Sequence, residues 1–307
     1  MRFFKKTNID FIGKRKTWYI VSSITLLVGL IVFGVKGIGY GIDFTGGTEV
    51  VVKFQTPQTI GSIREALNKA GLNRTEIKIY GDPHNILIRT SEQETGTVIG
   101  DKIKETLTQY FPDNPSTLLE EVKIGPKIGA ELRKGAIYAV IASIFVMLIY
   151  IGFRFKFVYG VGAVVALIHD VIATIGILAI FNGITPFFDF EIDQNMIAAF
   201  LTLVGLSVND TVVIFDRIRE NLKIHKTMTL REVMNKSINE TLSRTIITSG
   251  IIFMVLFIVM LFGGEVTRGF GFALAFGIVT GTYSSIFVAS AIVYEWSLKK
   301  KINIISK

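Results

Sequence analysis

One acidic side chain stands deep inside a long apolar stretch of this sequence. The stretch covers residues 196–220 and carries Asn209 and Asp210 among mostly apolar neighbours. At about 1.5 Å of rise per residue, a helix places Asp210 roughly 21 Å from Met196, within a hydrocarbon core of about 30 Å. A charge at that depth costs about 2.5 kcal/mol or more unless it meets other helices or a water-filled cavity. Asp210, with Asn209 beside it, is therefore either a tether between helices or part of an ion or substrate pathway.

Arg244 is the candidate partner of Asp210. It ends a polar stretch, 215–244, that holds seven Arg or Lys residues, and it opens the next apolar run. A guanidinium stays protonated and can hold a carboxylate through two hydrogen bonds, and its long stem could reach inward from the membrane surface. These properties favour an ion relay in which Asp210 is alternately clamped and released. A simple anchoring role at the membrane surface is the alternative.

His169 and Asp170 form a second polar pair near the middle of another apolar run, 159–181. Successive positions on a helix point about 100° apart, so the pattern predicts that the two side chains do not face one partner. The pair is assigned either to structural hydrogen bonding or to a polar pathway. Neither an HExxH motif nor a nucleophile with an oxyanion loop accompanies it, so neither an enzyme nor a metal site is predicted.

The composition is that of a multi-span membrane protein. Half of the 307 residues are hydrophobic, and the mean hydropathy is +0.51. The net charge of +8 does not indicate nucleic-acid binding, because the basic residues sit beside apolar runs and are not interleaved with stacking aromatics. The absence of cysteine excludes disulfides and thiolate metal sites.

Six apolar runs are long enough to cross a membrane as helices. The first follows a basic stretch and is interpreted as an uncleaved span, since it is longer than a signal-peptide core and no small-residue cleavage site follows. The predicted spans are 17–35, 135–153, 159–181, 195–214, 245–262 and 269–293.

A polar region, 36–134, separates the first two spans and is large enough to fold as a domain. Its pattern predicts the order βαββαβ, which is typical of a ferredoxin-like sheet. The predicted strands are 49–54, 76–80, 85–90 and 118–124, and the predicted helices are 59–70 and 95–110. The glycine-rich stretch 37–50 lacks a phosphate-loop motif and is interpreted as a turn entering the domain.

The basic residues predict the orientation of the chain. The connections 154–158 and 215–244 are basic, whereas 182–194 has acidic residues and no basic one. The positive-inside rule therefore places both ends, 1–16 and 294–307, in the cytoplasm and the 36–134 domain outside it.

Two helix patterns remain. The stretch 216–244 is amphipathic and begins its apolar face after a T-x-x-E capping box at Thr229 and Glu232, so it is expected to lie along the membrane face.

Small residues recur every four positions in the sixth span, which predicts close helix packing, either within the bundle or on a partner. This ridge contains Gly269, Ala273, Gly277 and Gly281.

Several motifs, taken together and in order, resemble those of the SecF branch of the SecD/SecF family. They are GIDFTGGT (41–48), VKIGPKIGAELR (122–133), ALIHDV (166–171), VNDTVVIFDRIREN (208–221), SRTIITS (243–249) and FGG (262–264). The resemblance implies an auxiliary subunit of the bacterial Sec protein-export machinery in the cell (inner) membrane. It also implies kinship with the resistance-nodulation-division transporters, use of the ion gradient, six spans and an extracytoplasmic domain. The family's intramembrane acid falls on Asp210 and its arginine on Arg244.

The resemblance further implies partners: a separate SecD-like subunit, the Sec translocation channel, exported preproteins and membrane lipid. No cofactor is expected apart from the coupling ion, and a lone carboxylate serves H⁺ or Na⁺ equally. Two other functions stay open, namely a half-transporter that exports small molecules or lipids, and a structural subunit that stabilises a partner.

Overall fold

Six helices in the described part of the chain are long and apolar enough to cross a membrane, as the sequence predicts. The structure is a computed structural model that describes residues 7–72, 75–92 and 98–300. Parts of the predicted ends, 1–6 and 301–307, and the start of the predicted helix 95–110 lie outside the described residues.

The first span and the small domain come first along the chain. The first span is α1 (Arg15–Lys36). The elements that follow are β1 (Gly39–Tyr40), α2 (Ile42–Thr45), β2 (Gly47–Phe54), α3 (Ile60–Lys69), β3 (Thr75–Tyr80), β4 (Asp82–Thr90), α4 (Val98–Tyr110) and β5 (Ser116–Ile124).

The predicted βαββαβ order is found. Strands β2 to β5 form one antiparallel sheet in the order β3-β4-β2-β5, which is the strand order of a ferredoxin-like fold. The two helices cover one face of this sheet, where Val50, Val52, Ile86 and Ile88 pack against Ile63, Leu67, Ile103 and Leu107. The domain therefore has an apolar core of its own.

The remaining elements form the other five spans, with one short strand in the connection between the third and fourth spans. They are α5 (Pro126–Arg154), α6 (Phe157–Phe181), β6 (Glu191–Ile192), α7 (Gln194–Ile224), α8 (Leu230–Phe262), α9 (Gly264–Ser284) and α10 (Ser290–Lys300). A single π-helical turn, Ser285–Ala289, joins α9 to α10, so the sixth span is one rod with a local change of register. The second span begins at Pro126, about two and a half turns before the predicted position, because proline is favoured at the first turn of a helix.

The amphipathic stretch 216–244 does not form a separate helix along the membrane face, so that expectation is wrong. Helix α7 continues to Ile224, and α8 runs without a break from Leu230 through the fifth span. The capping box at Thr229 and Glu232 is present and starts α8. The apolar face of this stretch is buried, with Val233, Met234 and Ile238 packed against the end of α7, so it does not need lipid.

The small-residue ridge of the sixth span packs inside the bundle, against α7. A Cβ added to Gly277 would come within 2.8 Å of Leu203, and one added to Gly281 would come within 3.0 Å of the Ser207 Cβ. Gly269 faces Met196 in the same way, and Ala273 is buried. The ridge is therefore not a surface for a second bundle, because its own chain already fills it.

The glycine-rich stretch 37–50 joins the small domain to the bundle. Strand β1 pairs in parallel with β6, and a Cβ on Gly129 at the start of α5 would meet the Gly46 nitrogen at 2.9 Å. Arg89 of β4 lies 2.5 Å from the Glu49 carboxylate and 3.7 Å from that of Glu191. Burial raises the pKa of the Glu191 carboxyl at this junction. The stretch is thus more than a turn, since it seats the domain on the helices.

Candidate functional site

Asp210 points from α7 toward α8 and α9 and is 5% exposed. Its Oδ2 accepts hydrogen bonds from the Ser249 hydroxyl at 2.8 Å and from the Thr282 hydroxyl at 3.3 Å. The two hydroxyls lie 2.7 Å apart. No described residue donates to Oδ1. The carboxylate is therefore held on one oxygen and open to a further ligand on the other.

The small-residue ridge explains why such short side chains reach Asp210. Because Gly277 and Gly281 have no side chain, the backbone of α9 comes into contact with the side chains of Leu203 and Ser207 on α7. One turn or less beyond Gly281, the hydroxyls of Thr282 and Ser284 then fall within hydrogen-bonding distance of acids on α7 and α6. A serine or threonine side chain spans only a few ångströms, so a larger residue at the ridge would break these contacts.

The other two predicted relay residues are not brought together with Asp210. Asn209 is exposed on the outer side of α7, because the next position on a helix turns by about 100°. Arg244 is also exposed and makes no ion pair with Asp210 in the described part of the chain. It lies five residues before Ser249 on α8, or about 7.5 Å along the helix axis. The direct clamp expected from the sequence is thus absent from this structure.

His169 and Asp170 are buried together and face different partners, as the sequence predicts: the His169 ring lies beside Tyr283, whereas Asp170 meets Ser207 and Ser284. The His169 Nδ1 lies 3.1 Å from the Asp170 Oδ1, since the imidazole folds back along α6 onto its neighbour. The Asp170 Oδ2 accepts from Ser207 at 2.6 Å and from Ser284 at 2.8 Å. Asp170 is 0% exposed, and polar groups of the protein contact both its oxygens.

The hydroxyl residues of the site are those that sequence reasoning missed. They are Ser207, Ser249, Thr282 and Ser284, each a polar residue in an apolar span. Serine and threonine in a membrane helix often bond a carbonyl of their own helix, so their presence alone carries little signal. The available signal was the position of Ser207 one turn before Asp210, which places both on one face of α7.

The site therefore contains two groups of oxygen atoms, one around Asp210 and one around Asp170. No cluster of three or more metal-binding side chains occurs among the described residues. A carboxylate with hydroxyl neighbours can take up a proton or hold a small hard cation, and buried acids in membrane spans are typical of ion pathways. Asp210 has one oxygen without a protein donor among the described residues, whereas both oxygens of Asp170 are in contact with polar groups.

Comparison with known proteins adds the family. A model described as "Protein export membrane protein SecD/SecF, C-terminal" matches residues 102–299, and one described as "SecD/SecF GG Motif" matches 31–58. "Protein translocase subunit SecF" of Rhodothermus marinus is 46% identical over 295 residues, which cover 96% of this chain and 95% of the relative. The chain belongs to the SecD/SecF family of protein-export membrane proteins. It is accordingly a multi-pass membrane protein of the Sec pathway.

Other relatives and structures agree with this family. Proteins named as translocase subunit SecF from Calditerrivibrio nitroreducens and Escherichia coli O157:H7 are 38% and 37% identical, over 94% and 92% of this chain and 94% and 85% of theirs. SecDF from Thermus thermophilus, described as a translocon-associated membrane protein, matches with a TM-score of 0.79 and 32% identity, over 95% of this chain and 39% of its own. A super-membrane-facing form of SecDF matches with a TM-score of 0.70 and 32% identity, over 97% of this chain and 40% of its own. The chain thus spans about two-fifths of the SecDF chains.

Proposed function

We propose that this chain is the SecF-type subunit of a bacterial Sec translocase and uses the transmembrane ion gradient to promote export of preproteins. The observation that carries the ion-coupling part is the Asp210 carboxylate, buried in the bundle with Oδ2 held by two hydroxyls and Oδ1 open. Family membership supports the export role. The relatives are named as translocase subunits, which is a transport role rather than catalysis.

In this proposal Asp210 takes up and releases H⁺ or Na⁺ during the cycle, and no other cofactor is needed. Arg244 favours the ionised carboxylate by its positive charge from the membrane surface, and it makes the direct contact only in another conformation. Asn209 faces outward and does not bind the ion. His169 and Asp170 act as a structural hydrogen-bonded centre rather than as part of the pathway.

The decisive experiment replaces the acid without changing its shape. Asp210→Asn should leave the protein folded and assembled but remove gradient-stimulated export from membrane vesicles, and Arg244→Ala should do likewise. Asp216→Asn is the matched control, because Asp216 lies on the same helix but pairs with Arg154 at the bundle surface. Gradient-dependent export that survives undiminished in Asp210→Asn would contradict the relay and favour a structural subunit.

The coupling ion and the competing transport function can be separated in the same vesicles. Stimulation that persists without Na⁺ and disappears when the proton gradient is collapsed indicates H⁺, and the reverse pattern indicates Na⁺. A half-transporter for small molecules or lipids should instead change drug or lipid efflux while secretion stays intact. Such a result would reject the export proposal.

The chain is proposed to work with a SecD-like subunit and with the Sec channel. The family supports the SecD partner, and α5 exposes a row of large apolar side chains that lipid or a second helical bundle can cover. Copurification in mild detergent tests the association. Reconstitution tests the need for it, since this chain alone should accelerate release of a preprotein less than the pair does.

Orientation is the remaining part of the proposal. The 36–134 domain is placed outside the cytoplasm, and both ends and the 225–229 loop inside it, on the charge pattern of the connections. Because the chain has no cysteine, single cysteines report sidedness directly. Asn85→Cys should react with an impermeant thiol reagent from outside the cell, and Lys226→Cys should not. The reverse pattern would overturn the orientation.

A further inference from the structure

A large polar cleft opens between the ends of α7 and α8. Its volume is about 1210 Å³, and only Val213, Met228 and Leu242 among its lining residues are apolar. The described start of the chain forms one wall, with Thr7 and Asn8. The segment 7–14 is held on α8 because Asn235 and Asn239 accept hydrogen bonds from its backbone. The cleft extends along the helices as far as Val213 and Arg244. Its chemistry is that of a water-filled space.

Contacts between α7 and α8 show how close this cleft comes to Asp210. From the loop inward, Asn221 bonds Ser237 at 3.0 Å, then Arg217 bonds Glu240 at 2.6 Å, and then Ser249 bonds Asp210 at 2.8 Å. In this antiparallel register, the level between the last two contacts holds Val213 on α7 and Thr245 on α8. One helical turn therefore separates the inner end of the cleft from the carboxylate.

Thr245 occupies that turn and is unusual among the hydroxyl residues there. It is 2% exposed and lies one turn from Ser249 on the same face of α8. Its Oγ1 is buried and has no hydrogen-bond partner among the described residues. By contrast, the Thr241 hydroxyl one turn away donates to the Ser237 carbonyl at 3.1 Å.

A buried hydroxyl without a partner costs about 1–3 kcal/mol, and polar groups of this kind are commonly satisfied by a bound water. Such a water needs two or more polar neighbours. The Thr245 hydroxyl is one. The Asp210 carboxylate of α7 lies one turn further inward, at the level of Ser249, and no described residue donates to its Oδ1.

We infer that the Thr245 hydroxyl binds water that connects the cleft with Asp210, so that water and a small cation reach the acid from the side of the 225–229 loop. This path deepens the proposed function by naming the residue through which the ion passes on that side. The water site itself follows from the packing of α7 and α8 and does not depend on export.

The first experiment measures access without measuring transport. Thr245→Cys is introduced alone into the cysteine-free chain, assembled with its partner in oriented vesicles, and exposed to Ag⁺ in nitrate buffer. Reacted thiol is quantified as protection from a later maleimide in denaturant. Thr202→Cys is the matched control, because Thr202 is exposed on the outer face of α7. Lys226→Cys marks the side of the loop.

Thr245→Cys should react at least about tenfold faster than Thr202→Cys, because only a hydrated thiol ionises readily to the reactive thiolate. The reaction should occur when Ag⁺ is added from the side that labels Lys226→Cys. A rate no faster than that of Thr202→Cys, or reaction only from the opposite side, would overturn the inference.

The second experiment removes the hydroxyl. Thr245→Val keeps the branched shape and should slow gradient-stimulated export, whereas Thr245→Ser should restore most of the rate and Thr202→Val should have no effect. If Asp210→Asn abolishes stimulation but Thr245→Val exports normally, the role of the Thr245 hydroxyl is wrong while the relay stands. If Asp210→Asn has no effect, the relay fails, and the Ag⁺ result alone then decides the water path.

Discussion

The two buried acids of this bundle, Asp170 and Asp210, look alike in the sequence and differ in the structure. Asp170 is 0% exposed, with the His169 Nδ1 at 3.1 Å from Oδ1 and with Ser207 and Ser284 donating to Oδ2. Asp210 is 5% exposed and receives its hydrogen bonds from Ser249 and Thr282 on one oxygen only. The first acid is enclosed by the protein, whereas the second lies one turn from a polar cleft.

The difference shows that one bundle can hold two buried acids in different ways. An acid that contacts polar groups through both oxygens is held in place, because moving it leaves buried hydroxyls without this partner. An acid with one open oxygen can bind a proton or a cation without breaking the contacts that hold it. Burial alone therefore does not distinguish the two acids, whereas the number of hydrogen-bonding groups on each carboxylate oxygen does.

The largest effect should come from deleting the two carboxyl groups. Asp170→Ala removes the shared polar partner of His169, Ser207 and Ser284, and we expect it to lower the free energy of unfolding by about 3–5 kcal/mol. Asp210→Ala strands two hydroxyls that still bond each other, so a loss of about 1–2 kcal/mol is expected. Denaturation of the purified protein in mild detergent measures both. Equal losses would break the distinction between the two acids.

A methyl group at the α7–α9 contact should have the next largest effect. The added Cβ in Gly281→Ala would lie 3.0 Å from the Cβ of Ser207, which donates to Asp170. Overpacking of this kind typically costs about 1–3 kcal/mol. Gly205→Ala on the other side of α7 is the control, since its Cβ meets nothing within 4 Å. The comparison is measured as the difference in unfolding midpoint, and a Gly281→Ala protein as stable as Gly205→Ala would contradict the close packing.

Removing single hydroxyl groups should change stability less than removing a carboxyl group, and it tests the same difference between Asp170 and Asp210. Ser284→Ala should cost about 1–2 kcal/mol, because it takes one donor from an acid without access to the cleft. Ser249→Ala should cost less than about 1 kcal/mol, because Thr282 remains on the same Asp210 oxygen and water can replace the lost donor. Unfolding curves of the two variants in one detergent test the order. A larger loss for Ser249→Ala would mean that Asp210 is the more rigidly held acid.

Asp10 is an acid at the protein surface, and we expect it to contribute less to stability than either buried acid. Hydrogen bonding from Arg231, and then from the Gly13 backbone, lowers the pKa of Asp10 to about 2. Because the folded pKa lies below the ordinary value of 3.8, the contribution of Asp10 is present above pH 4 and is lost as the pH falls toward 2. Solvent screening limits this contribution to about 1 kcal/mol or less.

Asp10→Asn should therefore reduce stability slightly at pH 7 and loosen the segment 7–14 that forms one wall of the cleft. Amide hydrogen exchange of that segment is the measurement, and the difference from the parent protein should shrink as the pH is lowered through 3.8 toward 2. A difference that is constant with pH would show that the carboxylate charge is not what holds the segment.

Much of the architecture was predictable because it depends on local pattern. Apolar runs of membrane length predict the six spans, and alternation with turn residues predicts the βαββαβ order. The capping box predicts the start of α8 at the correct residue. Local pattern did not predict what covers the amphipathic stretch 216–244. Its apolar face packs on protein and not on lipid, because Val233 and Ile238 are buried by residues of α7, which precede them in the chain.

By itself, the sequence determined that a carboxylate at Asp210 enters the membrane core and that small residues line one face of the sixth span, because composition and helical spacing decide both. Only the tertiary structure decided which helix that face contacts, which hydroxyls meet each acid, and which acid keeps an open oxygen. The physical reason is the short reach of hydrogen bonds. Whether Ser249 lies at 2.8 Å from Asp210 or out of reach depends on how three helices pack, and no spacing within one helix carries that information.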